Sequence, residues 1–349
     1  MAKIKITEND LPLFRLVDGH RLIDSRQLEL ALLGDGNPRH FRDRLERLSD
    51  QEYLHRPPAQ KQPRHRRHHM IYALGIRGRE LLDEIDQVQR VGKRDWRNEN
   101  KRLKPQTLDH EIAVTETVLA LHIAAQHRGW GFEWWHDPRY HTARVLPEKV
   151  AIDPVHGRFT SLPLHPDSYA IITLEHGHRV NLFIEVDRGT EPHDRASLQK
   201  MLAYWDYITA AVKAHGSREQ SWRVLIATTT EERLQNMRRE AQERVDPKKK
   251  GTHVFLLTTL DRCRIDLEQP LRVFDDHLWW STKIGYDNPR KLFLDACPKC
   301  HQLIDTANEP HEILNADPRV ALAPATSPLP DLLPDDAPLY AHTTCPGHR

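Results

Sequence analysis

Apolar positions recur with two different periods along the chain, and the switches between them mark out its elements. Residues 8–17 carry Leu11, Leu13, Phe14 and Val17 at helical spacing. Pro12 falls near the first turn, where its missing N–H is tolerated. Asp24-Ser-Arg-Gln27 has the form of a capping box and predicts a second helix with Leu28, Leu32 and Leu33 on its apolar face. The turn signal Gly34-Asp-Gly-Asn-Pro38 leads into a third helix, from about Pro38 to Asp50. Phe41, Leu45 and Leu48 face inward there, and Arg39, Arg42, Arg44 and Arg47 lie on its other sides. Tyr53–Arg56 and Met70–Leu74 predict two short strands. The loop between them, residues 57–69, is basic and holds no acidic residue. Residues 78–88 return to a helical pattern.

Residues 89–105 are polar, charged and aperiodic, and read as a linker. A long helix is predicted from Thr107, with Leu108, Ile112, Val114, Val118, Leu119 and Leu121 as its core side. Trp130–Trp135 is expected to be an aromatic core strand, and residues 137–165 to hold short strands at best. Two period-two runs, Tyr169–Leu174 and Val180–Asp187, flank the Gly-containing turn Glu175–Arg179 and predict a hairpin. An amphipathic helix over 196–212, a buried strand over 222–227, a helix over 231–245, a turn over 248–251 and a buried strand over 254–257 follow. This order implies a mixed sheet covered by helices. From residue 266 the chain is Pro-rich and expected to be largely irregular.

Charge divides the chain where the pattern does. The net charge is only +1, yet residues 1–105 hold 23 Lys and Arg against 16 Asp and Glu, a balance of +7, which leaves −6 for the remainder. A basic front end suggests contact with nucleic acid. Three helices followed by a two-stranded ribbon with a basic loop is the pattern of a winged helix-turn-helix. Its third helix would enter the major groove, and its loop would reach phosphates or the minor groove. Arg39, Arg42, Arg64, Arg66 and Arg67 are the candidate contacts to double-stranded DNA, most of them to phosphate. No stretch reads as a signal peptide or membrane span, and four cysteines do not make a disulfide framework, so a cytoplasmic protein is expected.

Two groups of residues carry chemistry. Strand alternation puts Asn181, Phe183, Glu185 and Asp187 on one face of the second hairpin strand, and Asp167 begins the paired strand. Three carboxylates at a strand end suit a hard cation, Mg²⁺ or Mn²⁺. Lys200 and Tyr204 share one face of the following helix. Asp109-His110-Glu111 is placed in the first turn of the long helix, where acids suit the helix dipole. In the tail, Cys297-Pro-Lys-Cys300 and Cys345-Pro-Gly-His348 have the spacing of a tetrahedral structural Zn²⁺ site, with His301 and His342 as alternative ligands. Cys263 reads as a lone core cysteine.

The acids, the hairpin and the order of elements resemble the PD-(D/E)xK nuclease superfamily, whose motif is an Asp, a hairpin, then Glu-x-Lys. Asp167 and Glu185 match its acids, and the resemblance implies Glu111 as an alternative fourth acid, since the first helix of these nucleases sometimes supplies one. Asp187 stands where the motif has Lys, so the resemblance implies Lys200 as a migrated lysine and Tyr204 as the tyrosine of its helix motif. Asp167, Glu185, Asp187, Lys200 and Tyr204 are therefore the candidate catalytic residues, with Asp167 and Glu185 as ligands of the Mg²⁺ or Mn²⁺.

Taken with the Leu108–Glu111 opening of the long helix, the Ile184–Glu191 strand end and the Leu198–Tyr204 helix, residues 10–260 resemble the replication-relaxation family of plasmid and mobile-element proteins. The expected architecture is mixed α/β. It comprises an N-terminal winged helix-turn-helix over 1–88, the linker over 89–105, a central restriction-endonuclease-like mixed sheet with helices over 106–265, and an irregular zinc-binding-like tail over 266–349. The resemblance implies a DNA-binding protein of plasmid replication or relaxation, with replication or mobilisation proteins as partners and a domain that nicks DNA in a metal-dependent way. The alternative is an inactive nuclease fold acting as a DNA-binding regulator.

Overall fold

A computed structural model describes residues 4–61, 69–87, 100, 102–135, 147–153, 158–163, 166–175, 177–189, 200–205, 207–208, 220–244, 254–283, 288–293, 295–296, 303–304, 311–313 and 340–342. The N-terminal part runs α1 (Asp10–His20), β1 (Ile23–Asp24), α2 (Ser25–Leu32), α3 (Pro38–Asp50), β2 (Leu54–His55), β3 (Ile71–Leu74) and α4 (Ile76–Asp86). The capping box forms as expected: Asp24 accepts from the Gln27 amide, and Gln27 returns the bond to the Asp24 amide. Asn37 caps α3 by accepting from the Arg39 amide at 2.9 Å. The strands pair antiparallel in the order β1-β3-β2. Chain packing at the start of α4 is close enough to require glycine. A Cβ on Gly75 would lie 2.1 Å from the Glu52 carbonyl oxygen, and one on Gly78 would lie 2.3 Å from that of Tyr53.

The central part is a six-stranded sheet in the order β11-β10-β9-β8-β7-β4. It is built from β4 (Gly131–Trp135), β7 (Ser168–Thr173), β8 (Arg179–Asp187), β9 (Gln220–Thr228), β10 (Phe255–Thr259) and β11 (Trp280–Ser281). β4, β7 and β8 form an antiparallel meander; β9 joins β8 in parallel, β10 joins β9 in parallel, and β11 closes the edge antiparallel. The β7–β8 turn is tight, with Gly177 at φ +81°, a conformation natural to glycine. The antiparallel pair β5 (Pro147–Asp153) and β6 (Arg158–Pro163) stands apart from this sheet and is longer than the short strands expected for that region. β4 departs from expectation too: it is the sheet's edge, and its residues are exposed or half-buried rather than core.

Helix α5 (Pro105–His127) lies between the two parts. Pro105 is its first residue, a position where a missing N–H is already unpaired in any helix. Residues 109–111 consequently sit two residues further in than expected, past the first turn and the reach of its dipole effect. The expectation of a single core side also fails. Val114, Val118, Leu121, Ala124 and Ala125 pack on the sheet with Leu182, Ile184 and Val186. Leu119, Ala120 and Ile123 pack with Phe14, Val17, Leu28 and Leu45 of the N-terminal part. A helix apolar on nearly every side is one buried on more than one side. The opposite face of the sheet is covered by helical residues 200–205 and 207–208 and by α6 (Glu231–Arg244), over Phe183, Trp222, Val224 and Ile226.

Short helix α7 (Arg272–Asp275) packs Phe274 against Trp130 and is followed by the buried Trp279. Cys263 is buried in the core, as expected. The tail contributes the short strands β12 (Asp295–Ala296), β13 (Leu303–Ile304), β14 (His311–Ile313) and β15 (Tyr340–His342) among the described residues. Among those residues, no helix is long and apolar enough to cross a membrane.

Candidate functional site: a buried glutamate with lysine and tyrosine

Alternation along β8 sorts its side chains as the sequence implies. Val180, Leu182, Ile184 and Val186 face α5, whereas Phe183 packs on the opposite side against Tyr204. Glu185 follows Phe183 on that side, in contact with the helical segment that starts at Lys200. Lys200 Nζ donates to Glu185 Oε2, and Tyr204 Oη donates to Glu185 Oε1. The four-residue spacing of Lys200 and Tyr204 is what lets one carboxylate accept from both. Tyr204 is almost wholly buried, while Lys200 keeps 39% of its side chain exposed. Burial pushes the Glu185 carboxyl up to about 7, and nearby Asp167 adds to this, against the opposing pull of Lys200 and Tyr204. Burial and the facing carboxylates hold the Tyr204 hydroxyl well above its ordinary value.

Asp167 precedes β7 directly. Its Oδ2 accepts from the Val186 amide at 2.8 Å, which ties it to the strand that carries Glu185. Its Oδ1 lies 3.2 Å from His110 Nε2, so α5 reaches the site from the other side of the sheet. Burial opposes ionisation of Asp167, but the His110 bond, the Lys200 and His110 charges and the Val186 amide outweigh it and lower its pKa. His110 shows the mirror effect: burial disfavours its cation, yet the Asp167 bond and the neighbouring carboxylates raise its pKa.

Asp187 is held elsewhere. Arg233 of α6 grips both its oxygens, with Arg233 Nη2 at 2.7 Å from Oδ1 and Nε donating to Oδ2. Thr228 Oγ1 donates to Oδ2 at 2.9 Å and the Gly189 amide to Oδ1 at 3.1 Å. Glu111 turns away from the sheet to meet Arg21 of the N-terminal part at 3.1 Å. The structure therefore brings together Asp167, Glu185, Lys200 and Tyr204, adds His110, and directs Asp187 and Glu111 to arginines. Among the described residues, no group of three or more His, Cys, Asp or Glu side chains is gathered as a metal ion needs. The His110 contact was missed because Asp109-His110-Glu111 offers three polar residues in a row, and spacing alone cannot say which one faces the sheet. Arg233 lies 46 residues beyond Asp187, and no local signal links them.

At the N-terminal part, Arg39 is exposed on α3. Arg42 is also on its surface but forms a two-point pair with Glu29 of α2, at 2.6 and 2.9 Å. Arg64, Arg66 and Arg67 lie outside the described residues, as do Cys297, Cys300, Cys345 and His348.

These features define a mixed α/β protein in which helices and a six-stranded sheet frame a buried acid–lysine–tyrosine cluster. The chain belongs to the replication-relaxation family, whose model matches residues 14–219. That span contains the N-terminal elements from Phe14 onward, α5, the hairpin, Lys200 and Tyr204. Comparison with curated proteins and with solved structures returned no match.

Proposed function

We propose that the protein is a DNA-binding factor of plasmid or mobile-element replication, and that its sheet domain is a nuclease of the PD-(D/E)xK type that nicks DNA with a divalent metal. Family membership supports the replication setting. The observation that carries the nuclease reading is the clustering of Asp167, Glu185, Lys200 and Tyr204 at one end of β8, on a helix, three-stranded meander, helix, parallel-strand core. A winged helix over residues 1–88 would present α3 and the 56–70 connection to duplex DNA, with Arg39, Arg42, Arg64, Arg66 and Arg67 as its contacts.

The donor set fits a metal of the Mg²⁺ kind. That ion commonly takes one or two protein carboxylates and fills its remaining positions with water and substrate phosphate oxygens. Asp167 and Glu185 offer two hard oxygen donors, and the raised pKa of Glu185 is what a nearby cation would reverse. Mg²⁺ or Mn²⁺ held there would lower the pKa of an attacking water and polarise a phosphoryl oxygen. His110 and the Val186 amide fix the orientation of Asp167. Tyr204 fixes Glu185 by donating to its Oε1. Lys200, the most exposed of the four, stands ready to leave Glu185 for the negative charge that develops on the scissile phosphate. The test is nicking of supercoiled plasmid with Mg²⁺ or Mn²⁺. Asp167→Ala and Glu185→Ala should abolish it and Lys200→Ala should weaken it. A silent wild type, with Asp167→Ala leaving stability and DNA binding unchanged, removes the nuclease reading.

A second reading rests on a specific observation. Asp187 stands in the motif's lysine position and is committed to Arg233, leaving two carboxylates rather than three. In that reading the sheet domain is inactive, and the protein regulates replication or transcription through DNA and protein contacts alone.

A further inference from the structure

We infer that the N-terminal part and the sheet site address one and the same DNA duplex in fixed register, so that any strand scission falls at a set offset from the bound sequence. The inference rests on the nuclease and DNA-binding readings above and adds the substrate geometry. Its basis is the way α5 is shared. Within two turns, α5 gives His110 to Asp167 and Asp109 to Arg188 at 3.2 Å on the sheet side. On its other side the same turns hold the N-terminal part. Glu111 pairs with Arg21 at 3.1 Å, and Thr115 Oγ1 donates to the Leu22 carbonyl at 2.7 Å. Gln27 Nε2 donates to the Ile112 carbonyl at 3.0 Å and to Glu116 at 2.9 Å. Glu116 also accepts from Arg26 at 3.0 Å and from the Ile265 amide at 3.0 Å, joining three segments of the chain. His110 and Glu116 are six residues apart, about 9 Å along the helix axis.

A module joined only by a polar linker would sample many positions relative to the site. Here five polar contacts between α5 and the N-terminal part, and the shared apolar cluster of Leu119, Ala120 and Ile123 with Phe14, Val17 and Leu28, resist that motion. Several of these contacts have partly buried partners, where ion pairs are screened least. The Arg42–Glu29 pair ties α3 to α2, and α2 in turn carries Arg26 and Gln27. DNA lying on α3 is thereby referenced to the helix that touches Asp167.

The experiment uses the full chain. Duplexes are first enriched from a random pool for binding. A photo-crosslinking amino acid then replaces Thr229, an exposed residue just past the site end of β9. Crosslinks to one or two adjacent nucleotides, at one offset from the enriched sequence, are the expected result. Nicks, mapped on the same duplex, should fall at that offset. Arg26→Glu, which sets a second carboxylate against Glu116, should broaden the crosslink pattern at least threefold. Crosslinks spread over more than about 10 base pairs, one helical turn, overturn the inference. So does a bound duplex that never crosslinks. A single offset without nicking removes the catalytic reading and leaves the register intact, whereas no duplex binding at all removes both.

Discussion

Lys200 of the helix that follows the hairpin donates a hydrogen bond to one oxygen of Glu185, and Tyr204 donates to the other. Even with that cation beside it, Glu185 is raised to about 7 by burial and by Asp167. A carboxyl with a folded pKa above its unfolded value binds its proton more tightly in the native state. Stability is therefore retained below the unfolded value, near 4.5, and is lost as pH rises toward about 7. Glu185→Gln removes the titration while preserving the shape of the side chain. The stability of the wild type relative to this variant should fall by about 3 kcal/mol between pH 4 and pH 8, in urea unfolding at constant salt. A difference that does not change with pH would mean that Glu185 titrates like a surface acid. At pH 8, Mn²⁺ at tenfold its dissociation constant should restore about 1.4 kcal/mol to the wild type and nothing to Asp167→Asn.

Much of this site was legible because strand alternation and helix spacing are local rules. Alternation placed Glu185 on the face of Phe183, and four-residue spacing placed Lys200 with Tyr204. What these rules lack is direction between elements. They put Asp187 beside Glu185 but could not reveal that Arg233, 46 residues later, would take it. For the same reason α5 was given one core side: a helix apolar almost all round has no preferred face in sequence, and the second face became visible only against α1 and α2. The linker expectation falls mostly on residues outside those described, but the helix that opens at Pro105 is anchored to both parts. The capping box at Asp24 and the strands β2 and β3 were legible to within a residue or two, because each is specified by its own side chains, whereas β1 was not expected: the two-stranded ribbon read from sequence is a three-stranded sheet.

DNA binding should follow counterion release. The logarithm of affinity should fall linearly with that of salt concentration, with a slope of about −0.9 for each phosphate neutralised. The full chain is the proper reagent, since Phe14, Val17 and Leu28 would lose Leu119 and Ile123 if the protein were cut at residue 105. Replacing Arg64, Arg66 and Arg67 together with Ala should flatten the slope by about 0.9 for each contact removed. Arg39→Ala should weaken binding without changing stability, because its side chain is exposed on α3. An unchanged slope in the triple variant excludes the 57–69 loop from the interface.

The tail carries a separate expectation. If Cys297, Cys300, Cys345 and His348 ligate Zn²⁺, the purified protein should contain about one zinc per chain by elemental analysis, and Cys300→Ser should lose it. Binding energy at such a site is folding energy, so the variant's tail should also be cut faster by a protease. A zinc-free wild type whose tail resists proteolysis would rule out these ligands.

Asp187 and Arg233 provide the control for the whole site. Asp187 has 22% and Arg233 14% of its side chain exposed, so the pair is partly buried. Burial pushes the Asp187 carboxyl up, but the bonds from Arg233, Thr228 and Gly189 outweigh it and hold the pKa below its ordinary value of 3.8. Its stabilisation is therefore present above that value and lost as pH falls through the lower folded one. Arg233→Ala leaves a half-buried carboxylate with Thr228 and a backbone amide. It should destabilise the protein by about 2 kcal/mol, less than the 3–5 kcal/mol for breaking a fully buried pair. The loss should stay constant from pH 8 to pH 5 and shrink only below about pH 4. If Asp187 serves structure alone, the same substitution should leave the Mn²⁺ stabilisation of the wild type unchanged, while Asp167→Asn abolishes it. Tighter Mn²⁺ binding by Arg233→Ala would show instead that Asp187, once released, swings into the metal set, and that Arg233 ordinarily keeps a third ligand out of reach.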